Sequence, residues 1–82
     1  MSQFRFRLKN SHLLPANELS RRITIELAYM AKADSIAEKR VLQALDDYSV
    51  LTFDLLLLVT QLSESALGTA LEELKFKQLV EW

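Results

Sequence analysis

Residues 40–82 change their hydrophobic period in a fixed order, and that order leaves few folds open. The spacing predicts a helix over 36–45, a short β-like segment at 49–51, a helix over 53–61 and a tight turn. A helix over 63–77 and a strand at 79–82 then follow. Each helix has its own start signal. Ser35 and Glu38 match the S-x-x-E capping box, in which each side chain satisfies a free backbone N–H of the first turn. Thr52 precedes Asp54, and Ser63 precedes Glu64, so two further caps carry an acid near the positive end of the helix. On this reading Val41, Leu42 and Leu45 are buried from the first helix, and Leu67, Ala70 or Leu71, and Leu74 from the last. Residues 46–48 form a loop.

The same stretch is depleted of positive charge: positions 41–74 hold no Lys or Arg. Residues 1–40 carry eight Lys/Arg against four acids, whereas residues 41–82 carry two against seven. A net −1 chain is thus divided into a basic half and an acidic half. The halves either attract each other on packing or present charged surfaces to a partner.

With 82 residues the chain is one domain, 1–82, of a size that buries only about 60–70% of its unfolded surface. One Gly and one Pro leave little turn-forming material, so helices dominate. Without Cys there is no disulfide framework or thiolate chemistry, and the expected compartment is the cytoplasm. The longest strongly apolar run, residues 55–59, is too short to span a bilayer, and the N-terminus lacks the apolar segment of a signal peptide.

Residues 1–10 read as a strand or a flexible basic arm. Phe4, Phe6 and Leu8 alternate with Arg5, Arg7 and Lys9, which puts the apolar side chains on one face and the cations on the other. The need to bury two Phe favours the strand. An extra helix is expected over 15–33, with Leu19, Ile23, Leu27 and Met30 as its apolar stripe and Ile25, Ala28 and Tyr29 widening it. No helix breaker separates it from the helix starting near 36, so two helices or one long kinked helix both fit.

Four segments carry a family resemblance: Leu51-Thr52-Phe53-Asp54, the run Val59-Thr60-Gln61-Leu62-Ser63-Glu64-Ser65-Ala66-Leu67, Ala70-Leu71-Glu72-Glu73-Leu74, and Leu79-Val80-Glu81. Together they resemble the winged-helix, helix-turn-helix domains of bacterial regulators over about half the chain, roughly residues 40–82, within a helix-turn-helix core expected over 35–82. The resemblance implies a mainly α fold, a three-helix core with a small sheet, in which 63–77 is the recognition helix and 79–82 the first wing strand. Four departures bear on function. Gln61 and Gln78 stand where the pattern carries Gly, so these turns are expected to be built differently. The pattern runs out at Trp82, where a second wing strand would follow, and segment 4–9 is expected to fill that place by pairing with 79–82. The recognition helix offers Glu64, Ser65, Gly68, Thr69, Glu72 and Glu73 rather than cations. Leu55 and Leu58, three apart on one face, replace polar residues of the preceding helix.

These departures set the candidate sites. Phe53, Leu55 and Leu58 form a protein interface if the extra helix does not cover them from within the chain. Glu64, Glu72 and Glu73 form an acidic face, either simply solvated or suited to a basic partner. Arg5, Arg7, Lys9, Arg21 and Arg22 form the candidate nucleic-acid contact, joined by Ser65 and Thr69 on the helix, and Phe4 and Phe6 lie beside the cations. Catalysis has no support: His12 is the single His, and no nucleophile–base pair, phosphate loop or metal-ligand spacing occurs. No cofactor, metal, small-molecule ligand or membrane is called for. The expected function is a non-enzymatic, homodimeric adaptor or accessory regulator acting through protein contacts. The alternative is a dimeric DNA-binding transcriptional regulator.

Overall fold

The computed structural model describes residues 4–82. Residues 1–3, which belong to the segment read as strand or arm and to the stretch read for a signal peptide, lie outside the described residues. The order is β1 (Arg5–Leu8), α1 (Glu18–Ala28), α2 (Ile36–Tyr48), β2 (Val50–Thr52), α3 (Phe53–Thr60), α4 (Glu64–Phe76) and β3 (Val80–Glu81). Short 3-10 turns at Ser11–Leu13 and Met30–Lys32 flank α1. The protein is mainly helical with one small antiparallel sheet of order β2-β1-β3.

The N-terminal segment is a strand, and it is the central one. Arg5, Phe6 and Arg7 pair with Thr52, Leu51 and Val50, while Arg7 and Leu8 pair with Glu81 and Val80. Its alternation explains the placement: Phe6 and Leu8 enter the core, and Arg5 and Arg7 face outward. Phe4, expected on the inner face, stays exposed just ahead of the strand. The Phe6 ring packs between Trp82, at 4.8 Å between centroids, and Phe53, at 6.4 Å. Burial removes Phe6 from any base-stacking role.

Helix α2 is the centre of the core. Val41, Leu42 and Leu45 are fully buried with Leu56, Leu67 and Leu74 from α3 and α4, and both Ala70 and Leu71 are buried as well. The helix runs through Tyr48, so residues 46–48 are its last turn rather than a loop. Asp46 is held there by Arg21, whose Nε and Nη2 approach one carboxylate oxygen at 3.1 and 3.0 Å. Ser49 then ends the helix with φ 69° and ψ −58°, a strained γ-turn geometry.

The chain makes two helices, not one, between residues 17 and 48. Tyr29 leaves the helical region at φ −121°, and the next cap is the expected one: Ser35 Oγ accepts from Glu38 N at 3.1 Å. The expected stripe of the first helix is corrected. Ile25 and Tyr29 are the buried residues, with Ala28 half-buried, whereas Leu19, Ile23 and Leu27 are exposed and Met30 only half-buried. Tyr29 sets this rotation, because its hydroxyl donates to the Lys9 carbonyl and pulls that side of α1 onto the sheet.

The turns at Gln61 and Gln78 are also corrected. Both adopt the left-handed conformation a Gly would take, at φ 57° and 61°. At the end of α4, Gln78 N donates to Lys75 O and Leu79 N to Leu74 O, each at 2.9 Å, the paired bonds of a Schellman motif. The pattern's geometry is therefore kept at a non-Gly cost of about 1 kcal/mol per turn.

Candidate functional site

Helix α3 is apolar around most of its circumference. Its residues Phe53, Leu56, Leu57 and Thr60 form one stripe at i, i+3, i+4 and i+7 that faces the core. Leu56 is fully buried, and buried Thr60 donates its hydroxyl to the Leu56 carbonyl at 2.6 Å. The remaining apolar residues, Leu55, Leu58 and Val59, fall on the opposite side and are exposed at 46%, 72% and 39%. A helix that is hydrophobic all round belongs in an interior, yet this one has a solvent side made of three aliphatic side chains. Helix α1 does not cover it. Of the predicted trio, Phe53 turns inward against Phe6 and anchors α3. Val59 joins Leu55 and Leu58 instead, and its i+4 spacing from Leu55 is the signal that sequence reasoning passed over.

Helix α4 lies next along the chain and carries the acidic face. Its cap is as expected, with Ser63 Oγ accepting from Ala66 N at 3.1 Å. Glu64, Ser65, Thr69, Glu72 and Glu73 are exposed, and Glu64, Glu72 and Glu73 make no ion pair among the described residues. Ser65, Thr69 and Glu73 border an open groove between α4 and the start of α2. Lys75 lies 4.1 Å above the Trp82 ring, where the cation meets the aromatic face rather than solvent alone.

The five cations do not form one free patch. Lys9 approaches Glu81 at 3.9 Å, Arg21 is held by Asp46, and Arg22 pairs with Glu18 at 3.3 Å within α1. Arg5 and Arg7 remain on the outer face of the sheet without an ion pair among the described residues. Arg7 is nevertheless opposite Glu81 in the strand register. Arg7 is thus edged by a carboxylate, which weakens its pull on phosphate, while Arg5 lies opposite Thr52.

An ion cluster around Lys77 that sequence reasoning missed is structural. Lys77 Nζ donates to Asp34 Oδ2 at 2.6 Å, Glu38 Oε1 at 2.7 Å and the Lys32 carbonyl at 2.9 Å. Those three bonds use every ammonium N–H. Glu38 is buried, and its carboxylate also accepts from the Ser35 hydroxyl and from Asp34 N, one residue ahead of the N–H the expected capping box uses, so one carboxylate serves both the start of α2 and the link to α4. The bonds to Asp34 and then Glu38 raise the Lys77 pKa, against a smaller opposing effect of burial. Across the body, Arg40 Nη1 donates to the Thr60 carbonyl at 3.3 Å and closes the end of α3. No group of acidic or His side chains suited to a metal ion occurs among the described residues, and no described helix is long and apolar enough to cross a membrane. No family model, curated protein or solved structure matches the chain, so its functional surfaces are read from its own residues.

Proposed function

We propose that the chain is a winged-helix-like interaction module, a non-enzymatic, dimeric adaptor or accessory regulator that engages a protein partner through the outer side of α3. The carrying observation is the exposed Leu55–Leu58–Val59 face on a helix whose opposite side is core. Such a face becomes favourable when a partner removes it from water, at about 25 cal/mol per Å² of apolar area. The exposed carboxylates Glu64, Glu72 and Glu73 of α4, the next helix in the chain, suit a basic partner and repel phosphate. The order α2-β2-α3-α4-β3, with β1 lying between β2 and β3, supports the winged-helix part of the reading.

The rival reading, a DNA-binding regulator, draws on Arg5 and Arg7 with Ser65 and Thr69. It is disfavoured because Arg21 is held by Asp46, Glu81 lies beside Lys9 and opposite Arg7, and Glu64, Glu72 and Glu73 surround Ser65 and Thr69 along α4. The test places a photo-crosslinking residue at Leu58 in cells, identifies the captured protein, and titrates that protein in purified form. Leu55→Glu/Leu58→Glu should abolish its binding while the circular dichroism spectrum is unchanged. Undiminished binding by the folded double variant would overturn the reading.

A further inference from the structure

Helix α1 carries a second unpartnered apolar face, separate from that of α3. Leu19, Ile23 and Leu27 are spaced i, i+4 and i+8, and they are exposed at 67%, 50% and 70%. The helix is already satisfied on its other side, where Ile25, Ala28 and Tyr29 meet the body. The stripe is left largely exposed by the described residues, and its layout bears on what would cover it.

The stripe reads Leu–Ile–Leu in either direction about Ile23. Two copies of α1 laid antiparallel across a two-fold axis at Ile23 bring Ile23 against Ile23 and each Leu19 against the other copy's Leu27. This is the self-complementarity an isologous contact requires. The charges agree with that arrangement. Arg22 and Glu26 flank the same side of the stripe, about 6 Å apart along the helix. The antiparallel pairing sets Arg22 of each copy beside Glu26 of the other. Arg22 has Glu18 on its own helix, but Glu26 has no partner among the described residues, so the contact supplies the missing cation. The opposite flank is Ser20 and Thr24, small uncharged side chains that let the helices approach. Beside Leu27 an open groove lined by Glu26, Met30, Ala31 and Lys39 gives the other copy's Leu19 a place to seat.

We infer that α1 is the homodimer seam, an antiparallel helix pair centred on Ile23, which leaves α3 of both copies free for the partner. This deepens the dimeric part of the proposed function. A seam of one helix per copy lies at the small end of specific interfaces, so the dimer is a weak one that assembles at high protein concentration.

The experiment uses sedimentation velocity and cysteine cross-linking on the full chain, which has no native Cys. At about 100 µM the wild type should sediment as a dimer and Leu19→Glu/Leu27→Glu as a folded monomer, its dissociation constant raised about a hundredfold or more. Leu55→Glu/Leu58→Glu should remain dimeric. Ile23→Cys should cross-link to itself on oxidation. Leu19→Cys should cross-link with Leu27→Cys but not with itself, because the antiparallel pair holds like positions about 12 Å apart along the axis. A monomeric wild type, or cross-linking of Leu19→Cys to itself as fast as to Leu27→Cys, would overturn the inference. So would a dimer lost only in the α3 variant, although that outcome would leave the α3 interface standing. Partner binding that ignores α3, with the α1 dimer intact, would overturn the proposed function and keep this seam.

Discussion

Helices α1 and α2 are close in length and both are amphipathic, yet they spend their apolar side chains in opposite ways. In α2 the residues Val41, Leu42, Ala44 and Leu45 are buried, and the helix touches α3, α4 and the sheet. In α1 only Ile25 is buried within the helix proper, while Leu19, Ile23 and Leu27 face solvent. Helical spacing declares that an apolar face exists; it does not say whether the chain itself or another molecule covers it. The difference lies in the ties that orient each helix. Helix α2 is fixed by the core on three sides, whereas Tyr29 and Arg21 hold α1 by one edge and turn its larger apolar stripe outward.

Truncation should separate the two helices most sharply. Leu42→Ala, at a site with no solvent exposure, should cost about 3 kcal/mol in urea unfolding. Leu27→Ala should change monomer stability by less than about 0.5 kcal/mol, since no cavity forms at an exposed site. Equal losses at the two sites would mean that α1 is packed as α2 is.

The Lys77 clamp gives the next effect, because it fastens the start of α2 to the end of α4. Lys77→Met leaves the buried Glu38 carboxylate without its cation, so the urea midpoint should fall clearly. Lys39→Met, on the exposed side of α2, should leave it in place. The clamp also sets an alkaline limit. A Lys whose pKa is raised on folding adds stability that is complete below its unfolded value and disappears as pH rises through the folded one. Tyr29 acts in the same direction. Burial, and to a smaller extent Glu81, raises its hydroxyl against the opposing effect of Arg21, so the unfolded state ionises first. Stability should therefore hold level through neutral pH and decline above about pH 10. Tyr29→Phe should make that decline shallower in a pH series of thermal melts.

The smallest effect runs the other way. Gln78→Gly relieves the left-handed turn after α4 and should raise stability by about 0.5–1 kcal/mol, with Gln61→Gly similar. The same change at Gln43, within α2, should destabilise by about 1 kcal/mol.

Much of the fold was legible in the chain. The caps at Ser35, Thr52 and Ser63 give local hydrogen bonds that need no tertiary information, and each helix starts where its cap stands. The alternation of Phe6 and Leu8 with Arg5 and Arg7 supplied both the strand and its buried face. Helix ends were less legible, as at Tyr48, where the Arg21–Asp46 pair reaches back 25 residues to hold the last turn. Exposure was harder still. Leu55 and Leu58 stood out because a polar pattern was broken, while Leu19, Ile23 and Leu27 fitted an ordinary core stripe and gave no local sign of facing outward. Lys77 read as a helix-end cation because its three acceptors lie 39 or more residues away.

The central claim is the proposal that α3 and α4 work through protein contact rather than phosphate. A fluorescence anisotropy titration of the chain against a random-sequence DNA duplex, over a series of salt concentrations, tests it most directly. The account predicts no saturable binding even at low salt, and the same flat response for Arg5→Ala/Arg7→Ala. Tight binding that falls steeply with salt and disappears in that double variant would contradict it.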